Sequence, residues 1–170
     1  MRTTQKSRQN SSGRQRYTHF WATGPERLDV PLWNRIVRDC RKILMLYEDE
    51  TTVYAPEKVK GEHFSFQDAD EHMYGGFLLT REPQSFAYCR TNGLPYDAAV
   101  TGCLLVVKKH APSWVKLTSD GLWEEWETAR ELLRTILSYE ERDFSKAKID
   151  FDELLDLEDR ETVGTREGTR

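Results

Sequence analysis

Within nine residues the run Cys89-Arg90-Thr91-Asn92-Gly93-Leu94-Pro95-Tyr96-Asp97 brings together a thiol, a guanidinium and a carboxylate. It joins the end of a predicted strand to the start of a predicted helix. Free N–H groups at a helix N-terminus attract anions, and a guanidinium can add a bidentate contact to phosphate or carboxylate. Arg90, Thr91, Asn92, Gly93 and Tyr96 are therefore the candidate anion-binding set. A purely structural account competes with it. Asn92-Gly93 makes a tight turn, Pro95 opens a helix, and Asp97 complements the helix dipole and rivals any ligand for the same N–H groups. The thiol suggests a second chemistry. Beside Arg90, Cys89 would favour its thiolate, and with Asp97 it would serve a small hydrolase or transferase. That chemistry also needs a base, and none of the four histidines, His19, His63, His72 and His110, has a spacing that marks it as partner. Cys40 and Cys103 fall on predicted buried helix faces and read as small apolar residues.

Asp68, Asp70, Glu71 and His72 form an acidic cluster that resembles a cation loop only in composition. It lacks the glycine and the distal glutamate that an EF-hand spacing requires, so it reads as a solvated hairpin loop. Asp120-Gly121 is a tight turn, with Asp120 expected to cap the helix that follows. Phosphate-loop, dinucleotide-binding, nucleophile-elbow, zincin and paired-cysteine zinc motifs do not occur. The commonest enzyme classes are excluded with them, and neither metal nor cofactor is expected.

These residues must be positioned by a mixed set of elements. Tyr17–Thr23 is rich in strand formers and ends at Gly24-Pro25. A helix follows, with Asp29 as N-cap, Pro31 in its first turn, and Leu32, Ile36, Val37, Cys40, Ile43, Leu44 and Tyr47 on its buried side. Arg35, Arg38, Asp39, Arg41 and Lys42 form its solvated face. Residues 51–55, 63–67, 76–81 and 85–90 read as four short strands. In the last three, Phe64/Phe66, Phe77/Leu79 and Phe86/Tyr88 alternate with their neighbours, as in half-buried antiparallel strands. Ala98–Val107 is apolar on nearly every face and predicts a deeply buried helix ending at Pro112. A strand over 114–118 and a helix over 124–137 complete the domain. The expected fold is α+β: an antiparallel or mixed sheet of about five or six strands packed by three helices, in the order β-α-β-β-β-β-α-β-α.

The strings Cys89-Arg90-Thr91, Pro95-Tyr96-Asp97 and Ser119-Asp120-Gly121, set around an apolar helix, resemble a group of small uncharacterised bacterial and phage-borne proteins. The resemblance covers roughly residues 75–137. It implies a bacterial or phage source and carries over no activity, cofactor, partner or site residue.

Charge divides the 170 residues into three parts. Residues 1–16 hold Arg2, Lys6, Arg8, Arg14 and Arg16, no acid, and no apolar residue after Met1, which predicts a disordered basic arm. Residues 17–138 hold the aromatic and β-branched residues of a single domain. Residues 139–170 carry eleven acids against six bases. In this acidic tail Phe151, Leu154 and Leu155 share one face of a possible helix over 146–158, the pattern of a groove-binding segment. Together with Trp123 they are the candidate partner-binding residues. No apolar run is long enough to span a membrane, and three widely spaced cysteines argue for a reducing compartment. The expected location is the cytoplasm, or the host cytoplasm for a phage-borne protein. The expected function is non-enzymatic binding of a partner, a protein first of all. A Cys89-dependent enzyme and a nucleic-acid-associated protein acting through residues 1–16 are the alternatives.

Overall fold

The computed structural model describes residues 17–54, 56, 61–70, 76–145 and 149. The basic arm and most of the acidic tail, including Phe151, Leu154 and Leu155, lie outside them. The fold is α+β, as expected. In chain order it runs β1 (Thr18–Thr23), α1 (Val30–Leu44), β2 (Thr51–Val53), β3 (His63–Asp68), β4 (Phe77–Thr80), β5 (Ala87–Arg90), α2 (Asp97–His110) and β6 (Val115–Ser119). A short 3-10 turn (Trp123–Trp126), α3 (Glu127–Leu137) and α4 (Glu141–Ser145) close it.

Among the described residues, six strands form two antiparallel sheets of three rather than one. The first has the order β5-β1-β6, the second β2-β3-β4. The chain between β4 and β5 explains the split. The Gln84 side chain takes the edge of β4 that a further strand would use: its Oε1 accepts from Thr80 N at 3.1 Å and its Nε2 donates to Leu78 O at 3.2 Å. The Gln84 backbone meanwhile joins β1, accepting from Thr23 N at 2.8 Å and donating to Thr23 Oγ1 at 2.7 Å. Gln84 thus bonds both sheets, and the chain changes from one to the other.

Helix α1 starts where the sequence predicts. Asp29 caps it, accepting from Leu32 N at 2.8 Å, and Pro31 sits in the first turn. Helix α2 is buried continuously from Ala99 to Val107 and packs against α1, α3 and β6. Each large side chain so enclosed contributes about 1.5–3 kcal/mol. Gly102 permits the close approach of α1, since a Cβ there would lie 3.2 Å from Ile43 Cδ1. The second sheet feeds the same core through Phe64, Phe66, Phe77 and Leu79, and Phe77 meets Trp21 of β1 at a centroid distance of 5.1 Å. The core also takes in Tyr139, Phe144 and Ile149, beyond the domain edge expected near 138.

Two local expectations are corrected. Asp39, assigned to the solvated face of α1, is buried. It accepts hydrogen bonds from Arg38 Nε at 3.1 Å and Tyr139 Oη at 3.3 Å, and pairs with His110 Nε2 at 2.9 Å. Asp120 does not cap the helix after it. Its Oδ1 accepts from Thr18 N at 2.8 Å and ties the end of β6 to the start of β1.

Candidate functional site

Strand β1 is central in its sheet, and its two faces are opposite in character. Inward, His19 stands opposite Cys89 and Ser119, and Trp21 stands opposite Ala87 and Leu117. Outward, Phe20 stands opposite Tyr88 and Thr118, Thr18 opposite Arg90, and Ala22 opposite Lys116.

The inward face holds a largely buried polar network. His19 Nε2 pairs with Asp97 Oδ1 at 2.8 Å, and His19 Nδ1 with Ser119 Oγ at 3.0 Å. Thr91 Oγ1 donates to the same Asp97 oxygen, and Gly121 N donates to Ser119 Oγ at 3.0 Å. A carboxylate only accepts, so His19 Nε2–H is the donor to Asp97. The order Ser-His-Asp is that of nucleophilic hydrolases. Access is what differs: His19 is 1% exposed and Ser119 2%, and the edge of His19 meets the Trp126 ring at 5.3 Å. A substrate carbonyl cannot reach Ser119 Oγ. The network instead clamps β1, β6 and the first turn of α2 together.

The same burial decides the Cys89 chemistry. Cys89 is fully enclosed. Burial, then the nearby Asp97 charge, push its thiol up to about 12, against a smaller opposing effect of the Tyr96 hydrogen bond. Arg90 is on the other face of the strand and does not offset this. The candidate catalytic set Cys89, Arg90 and Asp97 is therefore divided: Cys89 lies inside, Arg90 outside, and Asp97 is engaged with His19 and Thr91. Cys40 and Cys103 are likewise buried.

The candidate anion set is divided too. Asn92 and Gly93 form the expected turn with φ of 51° and 69°. Gly93 is required there, because a Cβ would lie 2.9 Å from the Tyr17 ring. Thr91 and Tyr96 are buried, and Tyr96 Oη donates back to Arg90 O at 3.0 Å. Asp97 shares the N-terminus of α2 with them. Thr91 Oγ1 is engaged with Tyr17 O at 3.2 Å and with Asp97, while the Arg90 guanidinium lies on the other face of the strand. Trp123, a candidate contact residue, is half-buried with the Arg130 guanidinium 4.4 Å over its ring. Among the described residues no group of three or more His, Cys, Asp or Glu side chains is placed to hold a metal, and no helix is long and apolar enough to cross a membrane.

The outward face is where the structure departs most from the sequence expectation. Phe86 and Tyr88 were assigned to the buried side of their strand; Ala87 and Cys89 are the inward residues instead. Phe86 is 57% exposed and Tyr88 53%. With half-buried Phe20 they form a trio in mutual contact, at centroid distances of 5.9 Å (Phe20–Phe86), 6.3 Å (Phe20–Tyr88) and 6.0 Å (Phe86–Tyr88). Arg90 follows on β5, its Nε donating to Thr18 Oγ1 at 3.4 Å, and Lys116 is exposed on β6 at the opposite edge. None of the outward residues of the three strands is acidic. Phe20 was not singled out from the sequence. The signal for the whole face was parity: Arg90 cannot be buried unpaired, and Phe86 and Tyr88 share its side.

A shallow cleft of about 720 Å³ elsewhere is lined by Trp33, Arg38, Arg41, Lys42, Met45 and His63, among others. No protein-family profile, no curated protein and no solved structure matches this chain.

Proposed function

We propose that the protein acts by binding a partner on the outer face of sheet β5-β1-β6, without bond-making chemistry of its own. The observation that carries this is the aromatic trio Phe20, Phe86 and Tyr88, held in contact and in water. A fully buried phenylalanine gains about 1.5–3 kcal/mol, so two half-exposed rings leave roughly 2 kcal/mol of burial for a partner to complete. The rings stand on a three-stranded sheet backed by the core, so the surface is formed before binding. The sealed Cys89 and Ser119 support the non-enzymatic side of the reading. Contacts from the acidic tail through Phe151, Leu154 and Leu155 would add a second surface.

The test is purification of the tagged full chain beside its Phe86→Ala plus Tyr88→Ala variant. Retained proteins are identified by mass spectrometry, and retained nucleic acid by its absorbance. The expected result is a partner held by the parent and lost by the variant, with both still melting cooperatively as folded proteins. Equal retention, or no retained partner, overturns the proposal.

A further inference from the structure

We infer that Cys40 and Cys103 close a disulfide when the chain folds in an oxidising medium, and that this bridge staples α1 to α2. The pair is independent of the sheet surface: both residues lie in the core, and the aromatic trio lies on the outer face.

The packing of the two helices sets the thiols against each other. Ile43 of α1 meets Gly102 of α2, where a Cβ would lie 3.2 Å from Ile43 Cδ1. Four residues back on α1, Asp39 pairs with His110 Nε2 at 2.9 Å, at the end of α2. Between these two contacts stand Cys40 and Cys103. The Cys40 thiol donates to Cys103 O at 3.9 Å, and the Cys103 side chain is in hydrogen-bond contact with it. Gly102 removes the side chain that would hold the helices further apart. A disulfide needs such an approach, with its Cα atoms about 4.4–6.8 Å apart. All three cysteines are unbridged, and Cys89 is turned elsewhere, with its thiol bonded to Tyr96.

A small-molecule disulfide is the oxidant. One cysteine thiolate attacks it, releases one small thiolate and becomes a mixed disulfide. The second cysteine thiolate attacks the protein sulfur of that bond and releases the other. Two protein thiols lose two protons and two electrons, and the oxidant becomes two thiols. Cys40 and Cys103 are fully enclosed in the folded protein, so the exchange takes place before α1 and α2 have closed, and the closing helices choose the partner.

Chain separation alone would choose differently. Cys89 and Cys103 are fourteen residues apart, Cys40 and Cys103 sixty-three. Loop closure in an unstructured chain therefore favours the shorter bridge by about tenfold. A Cys40–Cys103 bridge is thus a product of the helix contact. It closes a long loop, and so removes much of the freedom of the unfolded chain.

The test refolds the full chain, reduced and unfolded in guanidinium, into buffer holding oxidised and reduced glutathione. Remaining thiols are alkylated under denaturing conditions, and the peptides are mapped by mass spectrometry without reduction. The expected product joins the peptides of Cys40 and Cys103 and carries the label on Cys89. It melts about 10 °C above the reduced protein, and a reductant removes the difference. Cys89→Ala keeps both the bridge and the rise. The same oxidation held in guanidinium gives mainly the Cys89–Cys103 bridge. A refolded product bridged through Cys89, or one with all three thiols labelled, overturns the inference. So does a Cys40–Cys103 bridge that forms equally well in guanidinium, or one that melts no higher than the reduced protein.

Discussion

The two faces of β1 invert the ordinary order of a strand. Inside, two residues before Trp21, sits a histidine hydrogen-bonded at both ring nitrogens; outside, one residue along, sits a phenylalanine in a partly wetted aromatic trio. A buried imidazole is tolerated because Ser119 and Asp97 replace the water it loses. The outer aromatic trio has no such compensation: Phe86 and Tyr88 remain more than half exposed. The inward face therefore serves the fold, and the outward face is the one proposed for binding. Residue type alone would assign them the other way round.

The comparison breaks most sharply at Trp21. Trp21→Ala empties an inward site that is 1% exposed and packed on Phe77, and is expected to cost about 3–5 kcal/mol, out of roughly 5–15 kcal/mol of total stability. Denaturant unfolding measures it. A cost below about 1 kcal/mol would show that this face is not the core side.

His19→Leu keeps the volume roughly but strips Asp97 and Ser119 of their partner, and is expected to cost about 1–3 kcal/mol by the same measurement. An unchanged stability would mean that the clamp is not formed.

Asp39 gives the acid-side counterpart. Burial pushes its carboxyl up, but the hydrogen bonds from His110 and Arg38, with their charges, together outweigh this and hold it below the usual carboxylate range. A depressed carboxylate stabilises the fold above its unfolded pKa, near 4, and that contribution disappears as pH falls through the lower folded value. Between about pH 4 and pH 2 the parent should therefore lose more stability than Asp39→Asn. Parallel pH curves would contradict the pairing.

Cys89 predicts an absence of reaction. With its thiol pushed up to about 12, the thiolate at neutral pH is on the order of one part in a hundred thousand, and alkylation of the native protein at this residue should be negligible until it is unfolded. Rapid native labelling would reopen the nucleophile reading.

The smallest effect is expected outside. Phe86→Ala plus Tyr88→Ala should cost no more than about 1 kcal/mol per site, because only the half of each ring that is out of water is lost. A larger loss would make the trio part of the fold.

Much of the architecture was legible in sequence. The apolar run Ala98–Val107 specified a buried helix whatever its neighbours, and Asp29 with Pro31 marked the start of α1. Period-two alternation found the strands but not which side faced in. For Phe64, Phe66, Phe77 and Leu79 the apolar set is the inner one; for β5 both sets contain apolar residues, and only Arg90 fixes the sign. The split into two sheets was hidden because it depends on one glutamine, Gln84, bonding across β4. The His19 network was hidden because its members lie far apart in the chain and meet only when β1, β6 and α2 assemble. The loop from Cys89 to Asp97 drew attention for its chemistry, and folding turned most of that chemistry inward.

Hydroxyl-radical footprinting of the full chain, alone and with the partner that co-purifies with it, tests the central claim most directly. Oxidation at Phe86 and Tyr88 should fall on binding, while Met45, 72% exposed and lining the cleft against α1, stays as reactive as before. Unchanged oxidation at Phe86 and Tyr88, or protection at Met45 in their place, would contradict the assignment of the outer sheet face as the binding surface.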